Sequence, residues 1–169
     1  MRRIAPLVLL ISVLAAGCGG GSKETTTQVA TADDGEPPSK ADYVGLADAI
    51  CRNHQSRRED LESQARELGP LTSKAKARQV ASLLRQESAN RRDEVQELRD
   101  LQPPPADAAK VDAVLSRLSA ETEVLDRWAN AYDDLDDVAI RRLQIRLGLT
   151  AGKATERARA YGFEVCGQQ

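Results

Sequence analysis

From Ser39 onward, apolar and small residues recur at spacings of three, four and seven, the period of one helical face rather than the alternation of a strand. The first stripe reads Tyr43, Leu46, Ile50, His54, Leu61, Ala65 and Leu68. Ser39 and Asp42 form an S-x-x-D capping box at its start, and Gly69-Pro70 ends it. A second stripe begins near Thr72 and carries Ala77, Val80, Leu84, Val95, Leu98 and Leu101, until Pro103-Pro104-Pro105 forces a break. Pro105 also suits the first turn of a third helix, with Ala108, Val111, Leu115, Leu118, Thr122, Leu125, Trp128 or Ala129, and Tyr132. The acidic corner Asp133 to Asp137 offers N-caps and favourable charge to a fourth. That one shows Ile140, Leu143, Leu147, Ala151, Ala154, Ala158 and Tyr161 and stops at Gly162. Leu143 to Leu149 also alternates, but a lone strand has no partner elsewhere, so the pattern predicts helix there too.

Four helices of roughly 25–30 residues would each be about 37–46 Å long. Matched lengths and short breaks make neighbours antiparallel, so the predicted fold is all-α, an up-down antiparallel four-helix bundle over residues 39–169. Coiled-coil pairs of hairpins are the alternative. Composition agrees, since 30% of the residues are charged and only 3% aromatic, a balance suited to Ala/Leu-rich helices.

The pattern changes before Ser39. From Gly19 to Pro38 the chain is Gly, Ser, Thr, Asp, Glu and Pro with scarcely an apolar residue, which cannot offset its ordering entropy. It is expected to be a disordered tether of r.m.s. span near 25 Å. Thr25-Thr26-Thr27 could carry O-linked sugar, although a bare linker is the simpler reading. Further upstream, Met1-Arg2-Arg3 precedes an apolar run from Ile4 to Ala16, too short for a comfortable transmembrane helix of about 20 residues. A basic start, a short apolar run and small residues before a cut make a signal peptide.

The end of that run, Leu14-Ala15-Ala16-Gly17-Cys18, resembles the bacterial lipobox. There a diacylglyceryl group is added to the cysteine thiol before a type II signal peptidase cuts. The pattern usually has Leu three places before Cys, a slot that Ala15 occupies here. The resemblance implies a signal peptide over 1–17, lipidated Cys18 and a linker over 18–38, and a helical domain over 39–169. It further implies a membrane partner reached through acyl chains on Cys18, at the extracytoplasmic face. Each buried CH₂ adds about 0.8 kcal/mol, so two or more chains anchor stably.

A lipidated Cys18 leaves Cys51 and Cys166 as an even pair, which outside the cytoplasm is expected to be a disulfide. In an up-down bundle the start of the first helix and the end of the fourth share one end. Cys51 lies roughly 16 Å into the first helix, and the five residues from Tyr161 to Cys166 reach about as far when extended. The tail should therefore fold back along the first helix, with Phe163 or Val165 beneath it.

Charge and motifs then narrow the chemistry. The net charge is −2, falling to about −4 once Arg2 and Arg3 leave, and no signature of RNA or DNA binding occurs, so nucleic acid is not an expected partner. Cys51 and His54 share a helical face at metal-ligand spacing, but two ligands make no site, and no C-x-x-C, C-x-x-C-H or E-x-x-H pair occurs. No metal and no cofactor are expected. His54 has no recognisable nucleophile to serve, and no catalytic residue is assigned. The acidic corner lacks calcium-loop spacing and is better explained as helix capping. His54, Arg57 and Arg91, on or beside apolar stripes, are the candidate ligand-binding residues, and their chemistry would suit a small anion.

The leader, the early Ala49-Ile50-Cys51-Arg52 and the closing Ala160-Tyr161-Gly162-Phe163-Glu164-Val165-Cys166-Gly167 together resemble small helical lipoproteins of high-GC Gram-positive bacteria. That resemblance supplies no activity. The sequence thus leads to an expected non-enzymatic, membrane-anchored binding or scaffold module for an envelope protein, polymer or small ligand. Its rival is an extracytoplasmic sensor for a small anion or metal.

Overall fold

A computed structural model describes residues 37–168 of the chain. The expectations placed on the leader, Cys18 and the linker up to residue 36 lie outside the described residues.

Four helices follow one another: α1 (Lys40–Glu67), α2 (Lys74–Asp100), α3 (Ala108–Asp134) and α4 (Asp137–Tyr161), of 28, 27, 27 and 25 residues. Short 3₁₀ turns lie at Pro105–Asp107 and Cys166–Gln168. The boundaries follow local chemistry. The hydroxyls of Ser39 and Ser73 accept from the amides of Asp42 and Lys76 at 3.2 and 3.3 Å, so α2 starts after Ser73, next to the expected start near Thr72. Asp136 accepts from the amides of Val138 and Ala139 at 3.1 and 2.9 Å, the capping role expected of the acidic corner. Gly162, at φ 116°, closes α4 with its amide on the carbonyls of Ala158 and Arg159. Leu135 takes the same left-handed role after α3 at φ 56°, without glycine's freedom.

Contacts across the helices fix the topology. His54 meets Asn90 and Arg58 meets Glu87, Ser88 meets Thr122 and Arg85 meets Asp133, and Tyr161 meets Asp107. In the first two pairings the residue number rises on one helix as it falls on the next, and the end of α4 lies beside the residue that precedes α3, so the fold is an antiparallel, up-down four-helix bundle.

Along its axis the bundle has three different interiors. At the end holding the start of α1 and the close of α4 lies the apolar core, built on Tyr43, Ala47, Cys51, Leu98, Val111, Leu118, Ala158 and Tyr161. The middle is polar, with Ser88, Asn90, Arg91, Glu94, Glu121 and Thr122 all buried. The far end is hollow.

The seam between α1 and α4 differs from the others, because no Cα of α1 lies within 8 Å of a Cα of α4. Along the Tyr43–Cys51 stretch of α1 the C-terminal tail fills that gap. Cys166 is bonded to Cys51 across 115 residues, with Cα atoms 5.3 Å apart, as the matched reaches required. Phe163 is buried between Tyr43 and Tyr161, at ring-centroid distances of 6.1 and 4.9 Å. Val165 is only partly buried. The Asp48 carboxylate, buried on α1, accepts the amides of Glu164, Val165 and Cys166 at 2.9, 2.9 and 3.0 Å.

The packing corrects the α1 stripe and keeps that of α4. On α1 Leu46 is 45% exposed while Ala47, Asp48 and Cys51 turn inward, because the tail that covers this face leaves room only for small side chains and needs an acceptor. On α4 the stripe residues Ile140, Leu143 and Leu147 are half-buried, whereas Ile145 and Leu149 are 67% and 63% exposed.

Candidate functional site

The hollow end is a cavity of about 400 Å³ to which all four helices contribute. Its walls are apolar: Leu61 and Ala65 from α1, Leu83 and Leu84 from α2, Leu125 and Trp128 from α3, and Leu147 and Ala151 from α4. The size falls within the range of small-molecule sites, roughly 300–1,000 Å³. It exists because α1 and α4 stand apart and the tail is tied to α1 at Cys51, short of Leu61 and Ala65.

The inner end of the cavity is an ion cluster. Arg91 donates from Nη1 to Glu94 Oε2 at 2.6 Å, and its Nη2 lies 3.3 Å from Glu121 Oε2. Arg58 donates from Nε to Glu87 Oε1 at 3.0 Å and from Nη2 to Glu94 Oε2 at 3.4 Å. Three carboxylates therefore share two guanidiniums, and the count is one positive charge short. Burial pushes the Glu121 carboxyl above its usual range, against the pull of Arg91 and Arg58. Glu87 Oε2 is buried with no hydrogen-bond partner, and so is Trp128 Nε1. Orphaned polar atoms of this kind are costly and uncommon in a settled interior.

The three residues singled out by sequence are not brought together. Arg91 lines the cavity, but its charge is already shared with Glu94 and Glu121. Arg57 is exposed on α1. His54 faces α2, with Nδ1 2.9 Å from Asn90 Oδ1 and Nε2 3.2 Å from Glu97 Oε1, while Asn90 Nδ2 donates to the His54 carbonyl at 3.1 Å. No convergent basic pocket forms from this set. Cys51 gives its sulfur to Cys166, so it offers no thiolate to a metal beside His54. Among the described residues no group of three or more His, Cys, Asp or Glu side chains is arranged to hold a metal ion.

Of the residues that do converge, Trp128 already lay on its stripe, whereas Arg58, Glu87, Glu94 and Glu121 were hidden by their charge. A faint signal existed. Positions 84, 88, 91, 95 and 98 form one unbroken helical stripe, and so do 118, 121 and 125, so Ser88, Arg91 and Glu121 occupy interior positions.

No family model, no curated protein and no solved structure matches the chain.

Proposed function

We propose that the chain is an extracytoplasmic lipoprotein, held at a membrane by lipid on Cys18, whose helical domain is a non-enzymatic binding module. The observation that carries the anchor is Leu14-Ala15-Ala16-Gly17-Cys18 following a basic start and a short apolar run. The Cys51–Cys166 disulfide supports an oxidising compartment. Among the described residues no helix is long and apolar enough to cross a membrane. The binding half of the reading is supported by the open, apolar cavity with its ion cluster.

The test is Cys18→Ala with labelled palmitate and detergent phase partition as readouts. The parent chain is expected to take up label and follow the detergent phase, and the variant to lose both or to accumulate uncut. Equal labelling and partition of the two proteins would reject the anchor.

A further inference from the structure

We infer that the cavity takes an amphipathic amine, with a hydrocarbon or ring body against Leu61, Leu125, Trp128 and Leu147 and a protonated amino group between Glu87 and Glu121. The inference rests on the binding-module half of the proposed function and is independent of the lipid anchor.

The body of the ligand follows from the walls. A space of about 400 Å³ is far larger than one water molecule, and water gains few partners against leucine, alanine and an indole face. An apolar group loses nothing there and leaves bulk water. The gap between α1 and α4 gives it a lateral way in, since neither backbone closes over the other.

The head follows from the charge count. Arg58 and Arg91 are each already paired with two glutamates, so an anionic head would compete with carboxylates for them and would add a fourth negative charge. An ammonium group is the complement: it brings the missing positive charge and three hydrogen-bond donors. Glu87 uses Oε1 for Arg58 and has Oε2 without a donor, which makes it the natural first partner. The rise in the Glu121 carboxyl pKa has the same origin, a buried negative charge incompletely countered. Trp128 adds an indole face to the wall, the ring best suited to a nearby cation. The sign is thus opposite to the anion that His54, Arg57 and Arg91 suggested in the sequence.

Trp128 is the chain's one tryptophan, so its fluorescence reports on this site alone. The experiment titrates the full chain in phosphatidylcholine vesicles with octylammonium, octanoate and 1-octanol, three probes of one chain length. Octylammonium is expected to change Trp128 emission saturably, and to do so roughly tenfold or more tighter than the other two, the scale of a charged hydrogen bond. Glu87→Gln should shrink that preference, and Ala151→Phe should fill the cavity and abolish the response. Ala65→Phe, at an exposed position on the opposite wall, serves if Ala151→Phe fails to fold. Octanoate binding as tightly as octylammonium would overturn the amine and leave the binding module standing. No saturable response to any probe, or one unchanged when the cavity is filled, would overturn both.

Discussion

Glu94 is wholly buried and accepts from both Arg58 and Arg91, whereas Glu121 lies 3.3 Å from Arg91. Glu94→Gln therefore leaves two buried guanidiniums on two poorly placed carboxylates and is expected to cost about 3–5 kcal/mol in chemical denaturation. Glu121→Gln restores a count of two carboxylates to two guanidiniums and keeps an oxygen for Arg91. Its folded-state pKa lies above the ordinary 4.5, so its contribution to stability is full below that value and is lost as pH rises through the folded pKa. Glu121→Gln should accordingly equal or exceed the parent in stability at pH 7 and flatten the decline above pH 4.5. Tyr43 behaves alike at the alkaline end. Its hydroxyl is buried without a partner, and burial, with Tyr161 nearby, pushes its pKa up to about 12. Stability should fall as pH rises from about 10 to about 12, and Tyr43→Phe should remove Tyr43's share of that loss without lowering the neutral melting temperature.

At the scale of elements, the tail depends on Asp48 as well as on the disulfide. Asp48→Ala leaves three amides of the Glu164–Cys166 segment without their acceptor and is expected to cost about 2–4 kcal/mol. Hydrogen exchange should show the loss, with those amides exposed while those of α2 and α3 stay protected. Helix limits were legible in sequence because they rest on local chemistry: the Ser39 and Asp136 caps, Gly69-Pro70, the three prolines and Gly162. The inward face of α1 was less legible. Leu46 is the larger apolar group, yet Ala47 and Cys51 are buried, because what covers them is a tail more than a hundred residues away. The cavity was the least legible feature. Glu87, Glu94 and Glu121 were not singled out in the sequence, because only the registers of α1, α2 and α3 bring Arg58 and Arg91 among them. Arg91 was singled out on or beside an apolar stripe as a candidate ligand-binding residue, but the carboxylates that hold it were not.

For the whole molecule, one end is packed, the other is hollow, and a single crosslink holds the seam that the helices leave open. A bond enclosing about 115 residues contributes roughly 4–5 kcal/mol in the chain-entropy account, a large part of the net stability of a small domain. Reduction is therefore expected to lower the melting temperature by more than about ten degrees, with the tail loosening before the helices melt. A shift of only one or two degrees would mean that Asp48 and the Tyr43–Tyr161–Phe163 cluster hold the tail unaided. The proposed anchor and the crosslink belong to one proposal, a domain matured outside the cytoplasm, and intact-mass measurement of the chain purified from the membrane fraction tests both together. The expected species begins at Cys18, carries the mass of a diacylglyceryl group, with or without a further acyl chain, and gains no alkylation at Cys51 or Cys166 until it is reduced. An unlipidated Cys18, or alkylation of both other thiols before reduction, would contradict it.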